Sequence, residues 1–132
     1  MTRPFSPTDI VVTRWGARFM GRRFPCSIGK GGITDTKREG DGASPRASLT
    51  LPALYYRADR IFSLHGNKIG PRDLWCDATD HPAYNHLTRA PLKASHERMR
   101  RADRLYDLVL ITDWNWPDAT PEKGPAIFVH RW

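Results

Sequence analysis

Proline and glycine interrupt this chain too often for long helices: its 132 residues hold eleven of the first and ten of the second. Proline removes a backbone donor and glycine costs conformational entropy, so the uninterrupted stretches stay short. Short segments separated by turns are the pattern of an all-β fold. "DIVVTRW" (9–15) and "ARFMGRRFPCSIG" (17–29) read as two strands, with Gly16 in the turn between them and Gly21 at a tighter second bend. "GKGGITDTKREGDGASP" (29–45) reads as a long loop. "ASLTLPALYYR" (47–57) returns to strand character, with Leu49 and Leu51 alternating against Ser48 and Thr50. Residues 58–94 read as irregular. "SHERMRRADRLYD" (95–107) predicts a short helix capped by Ser95. "LYDLVLITDW" (105–114) is the clearest strand, and "AIFVH" (126–130) predicts a final one. With no internal repeat and no low-complexity linker, the expectation is one domain over 1–132, mainly β, a sandwich or barrel with one or two short helices.

The formal charge of +7 favours polyanionic partners. Yet the positive residues are scattered, and only "RMRRADR" (98–104) clusters, which fits an ordinary basic surface. A basic nucleic-acid binder is the rival reading from composition and the five tryptophans. It lacks the interleaved aromatic and basic signature of such modules, so nucleic acid is not the expected partner. No window approaches the ~18 apolar residues of a membrane span. The first residues, "MTRPFSPTDIVVTRWG", do not read as a signal peptide.

Few residues carry legible chemistry. "HERMR" (96–100) begins like a zincin motif, but Arg100 stands where the second histidine would be. His65, His81 and His86 lie in expected loops without ligand spacing and read as surface residues, so neither a metal nor a cofactor is expected. "GKGGITDTK" lacks the G-K-[ST] ending of a phosphate loop, and "SLHGN" (63–67) reads as a turn. Cys26 and Cys76 form no C-x-x-C unit. His130 stands apart, because four apolar residues, Ala126 to Val129, deliver it at the mouth of an expected buried strand.

The run "FPCSIGKGGI…KREGDGASPRASL" resembles the N-terminal half of the L,D-transpeptidase (YkuD-type) catalytic domain, in the subgroup whose loop reads K-x-E-G-D-G-x-T-P-x-G. The likeness continues through "YYRADR", "LWCDATDHPAYNHL", "SHERMRRADRLYDLVL" and "GPAIFVH", in the subgroup's order. It implies a β-sandwich in the bacterial cell envelope or periplasm, with a Cys/His pair that cleaves and re-forms amides in peptidoglycan stem peptides through a thioester. By resemblance, His130 is the catalytic base. The family's nucleophile follows that histidine in a Gly-Cys stretch, whereas this sequence ends at Trp132. The expectation is therefore an incomplete domain that is inactive by itself, with an exposed strand edge inviting self-association. A non-catalytic peptidoglycan-binding or assembly module is the alternative. Two departures from the subgroup, Ala47 for glycine and Pro125 for serine, fall near the expected active-site wall. The subgroup carries cysteines at positions 26 and 76 as well; by the usual burial of cysteine they read as a buried thiol pair or a disulfide rather than as a replacement nucleophile.

Overall fold

The computed structural model describes residues 4–131. The chain forms two compact units. One holds the chain up to Lys37 together with Asp41–Arg46, and the other holds Arg38–Gly40 and everything from Ala47 onward. Among the described residues the fold is mainly β, and its only helical turn is a 3-10 turn at Pro121–Lys123.

In the first unit, β1 (Val11–Thr13), β2 (Gly16–Phe19) and β3 (Arg22–Phe24) form an antiparallel meander. Gly16 opens β2 with φ +133°, and a Cβ there would lie 2.8 Å from the Phe24 carbonyl oxygen, so only glycine fits. The expected loop over 29–45 is more ordered than its composition suggests. Within it β4 (Ile33–Thr34) runs parallel to β5 (Ser44–Pro45).

The second unit carries the core. β6 (Ala53–Tyr56), β7 (Asn67–Lys68), β11 (Leu108–Ile111) and β12 (Phe128–His130) make a sheet in the order β12-β11-β6-β7. β8 (Asp73–Cys76), β9 (His86–Arg89) and β10 (His96–Arg98) make a second sheet, with β8 central. Trp75 from β8, Val109 and Ile111 from β11, and the loop residues Ile69, Met99 and Tyr106 fill one core. Trp75 meets Phe128 of β12 edge to face at 4.9 Å, so the two sheets share that interior.

Two expectations are overturned here. The helix expected over 95–107 does not form. His96–Arg98 is a strand paired with β8, His96 opposite Cys76 and Arg98 opposite Leu74. Its residues alternate: His96, Arg98 and Arg100 are exposed, Glu97 is half-buried and Met99 fully buried. That period of two places Met99 in the core, which outweighs any cap at Ser95. The stretch 58–94 is also not irregular throughout, because it contains β7, β8 and β9. All four residues of β8 are buried, so the strand shows none of the alternation that would have marked it.

Candidate functional site

His130 closes β12 opposite Val109. Phe128 and His130, two residues apart, lie on the same face of the sheet. Phe128 turns into the core against Trp75 and Tyr106, while His130, at the rim, stands edge-on to the Tyr106 ring at 5.2 Å and is exposed. The His130 Nδ1 is within hydrogen-bonding reach of the Arg131 carbonyl oxygen. A carbonyl only accepts, so in the neutral ring Nδ1 carries the proton and Nε2 keeps the lone pair. That is the state a general base requires.

Tyr106 is the platform for this histidine. Its hydroxyl donates to Glu97 Oε2 at 3.0 Å, and the Arg101 guanidinium lies 5.3 Å from its ring centre. Burial first, and the Glu97 carboxylate second, push the phenol above its ordinary range, so Tyr106 stays a neutral donor.

The loop that delivers β12 is held by two buried asparagines which the sequence reading missed. Asn85 Oδ1 accepts from Trp75 Nε1 at 3.0 Å and from the Ala126 amide at 2.8 Å. Its Nδ2 donates to the Asn115 carbonyl at 2.6 Å. Asn115 in turn donates to the carbonyls of Thr120 and Gly124 and accepts the Thr120 amide at 2.7 Å. Together they fix the backbone from Trp114 to Ala126 before the strand begins. Ala126 is held at φ +56°, a left-handed conformation that costs a non-glycine residue about 1 kcal/mol.

A short repeat was missed as well: Arg-Ala-Asp-Arg occurs at 57–60 and again at 101–104. In each, the first arginine forks onto the aspartate two residues on. Arg57 reaches Asp59 at 2.8 and 2.7 Å, and Arg101 reaches Asp103 at 2.8 and 2.6 Å. These forks hold both carboxyls down at about 2. The two turns also interlock. Arg57 Nη1 donates to the Arg101 carbonyl at 2.7 Å, and Arg60 donates to the carbonyls of Asp103 and Ala102 at 2.9 and 3.2 Å. Arg60 further pairs with the buried Asp107 at 2.8 Å.

The glycine-rich stretch is built by close backbone approach. A Cβ on Gly29 would lie 2.4 Å from the Gly42 carbonyl oxygen, and one on Gly31 2.7 Å from that of Asp41. Asp41 Oδ1 takes the Lys37 ammonium at 2.6 Å and the Ala43 amide at 2.9 Å, closing the turn. The Ser44 hydroxyl accepts the Gly29 amide at 2.9 Å. Glu39 belongs to the second unit, where it accepts the Tyr84 hydroxyl at 2.6 Å. Burial and this carboxylate together raise the Tyr84 phenol.

The remaining sequence candidates separate. Of the two readings of the cysteines, a buried thiol pair or a disulfide, the disulfide is not formed: both are free thiols, Cys26 half-buried and Cys76 with no exposed surface. His65 is exposed and His81 and His86 are half-buried; His86 opens β9 rather than lying in a loop. His81 Nδ1 accepts the Ala83 amide, and His86 Nδ1 meets the Tyr84 carbonyl. Among the described residues no three His, Cys, Asp or Glu side chains gather as a metal would require, and no helix is long and apolar enough to cross a membrane. No protein-family model, no curated protein and no solved structure matches the chain.

Proposed function

We propose that this chain carries the histidine side of a Cys/His acyl-transfer site of the L,D-transpeptidase kind, on a YkuD-like β-sandwich, acting on peptidoglycan stem peptides in the cell envelope. The observation that supports it best is His130: exposed at the rim of the shared core, backed by Tyr106, with Nδ1 committed to a carbonyl and Nε2 left as a base. In such a site Nε2 takes the thiol proton and the thiolate attacks the stem-peptide carbonyl. Terminal D-alanine leaves with the proton, and an amine then resolves the thioester.

The cysteine of that pair is not Cys76, which the core seals. Residues 1–132 contain no Gly-Cys pair, and in this reading they are inactive by themselves. Intact-mass spectrometry after incubation with a carbapenem should then show no adduct. Appending a tail with a Gly-Cys motif should create labelling that His130→Ala abolishes; equal labelling in that variant would remove the role given to His130. Retention on purified sacculi, with none on single-stranded DNA at matched salt, is the second expected result. The reverse pattern would favour the nucleic-acid reading of the +7 charge.

A further inference from the structure

The interlocked Arg-Ala-Asp-Arg turns form the side of a cleft of about 600 Å³, lined by Arg60, Ile61, Ala102, Arg104, Asp107 and Arg131. That volume suits a small ligand. Three guanidiniums face it against one carboxylate. Asp107 is buried and already pairs with Arg60 at 2.8 Å, whereas Arg131 reaches it only at 3.8 Å. Arg60 is further occupied by the carbonyls of Ala102 and Asp103. The side chain of Arg104, exposed at the end of the second turn, makes no hydrogen bond or ion pair with another described residue. Each first arginine of the repeat is thus spent on holding its turn, and the last ones, Arg60 and Arg104, line the cleft.

We propose that this cleft is a binding site for the carboxylate of a small peptide or amino acid, gripped by Arg104 and Arg131 over a floor set by the Arg60–Asp107 pair. The argument stands without the acyl-transfer reading. Guanidiniums offer paired, planar donors that match a carboxylate's two oxygens. Ile61 and Ala102 give the cleft an apolar wall beside the charges, which fits an organic acid better than a free phosphate. The Asp107 charge in the floor penalises a dianion more than a monoanion. A nucleic-acid backbone calls for a row of basic groups, whereas here they converge on one concavity.

The test uses the intact chain, calorimetry and the arginine Nε–H signals in NMR. The probes are N-acetyl-alanyl-alanine, its C-terminal amide, and inorganic phosphate. The acid should bind and shift the Arg104 and Arg131 signals, and the amide should bind at least ~10-fold more weakly, as expected for losing a charged hydrogen-bonded partner. Arg104→Gln should weaken the acid ~5- to 10-fold on the same basis, and Arg104→Lys by less, since it keeps the charge but loses the fork. The Arg104 side chain anchors no other described residue, and its carbonyl, which accepts the Asp107 amide, is untouched by substitution, so both variants should keep the parent circular dichroism. Arg18→Gln, on the first unit's meander, should change nothing. Equal binding of acid and amide, no binding of the acid, or saturation by phosphate where the acid fails would each overturn the proposal.

Discussion

Asn85 is the side chain on which the position of His130 most depends. It is 1% exposed and holds φ +57°, a conformation asparagine tolerates better than most residues. Its amide satisfies two donors with one oxygen, the Trp75 indole and the Ala126 amide, while its nitrogen serves the carbonyl of Asn115. Asn85→Leu leaves all of these buried groups unpaired, and a loss of about 2–4 kcal/mol is expected in denaturant unfolding. Asn85→Asp is the sharper experiment. It keeps the acceptor but sets a carboxylate against a carbonyl that needs a donor. Burial and that repulsion raise its folded-state pKa, so the charged form is what destabilises the fold. The gap to the parent should therefore be widest at pH 7 and narrow as the group protonates on acidification. A gap independent of pH between 4 and 7 would mean that Asn85 Nδ2 contributes little.

At the scale of elements, β12 is an edge strand among the described residues, since only β11 pairs with it. Phe128 and His130 share the core-side face, Phe128 inside and His130 exposed at the rim, so Val129 points to the other face, 38% exposed, beside unpaired backbone groups. An uncovered edge recruits another edge, but three residues offer few hydrogen bonds. Weak, concentration-dependent self-association is therefore expected in sedimentation velocity, and Val129→Lys should suppress it. A monomer at every concentration, unaltered by Val129→Lys, would show that the strand is too short to pair. The strand itself was legible in the sequence because "AIFVH" is an apolar run after Gly124-Pro125, as was "LVLI" at 108–111; but the run reads as a buried strand, whereas Val129 and His130 are exposed. β8 was not legible, because full burial removes alternation and its first residue, Asp73, spends its carboxylate on the Gly70 amide at 2.7 Å. β10 carried a signal of period two, but Ser95 and the charged residues after it match the opening of a helix equally well. His130 could be singled out locally. The asparagines that place it could not, since the partners of Asn85 lie up to 41 residues away. The repeated Arg-Ala-Asp-Arg was visible as letters; only the fold shows the two copies locked together.

For the whole molecule, three arginines are committed to ion pairs that build the fold. Arg57, Arg60 and Arg101 each serve a carboxylate and carbonyls or a ring; every such pair removes one positive and one negative charge together, so the net excess of +7 rests on the other basic side chains. The same pairs set a response to acid. Asp59 and Asp103 are held at about 2, below the usual carboxylate range, mainly by the hydrogen bonds from Arg57 and Arg101. Their folded-state pKa lies below the unfolded one, so the folded chain resists taking up these protons. The stability they contribute is complete above about pH 4, near the unfolded value, and is lost as pH falls toward 2. Both carboxylates face water, so each contribution is a modest one. They matter jointly because the two turns hold each other: Arg57 ties to the second turn and Arg60 to its carbonyls. The double variant Asp59→Asn, Asp103→Asn should melt below the parent at pH 7, and the two melting curves should converge between pH 4 and pH 2. A constant difference across that range would mean that the turns are held by their carbonyl hydrogen bonds alone. No difference between parent and variant at pH 7 would mean that the aspartates titrate near their free values and that the arginine forks are open in solution.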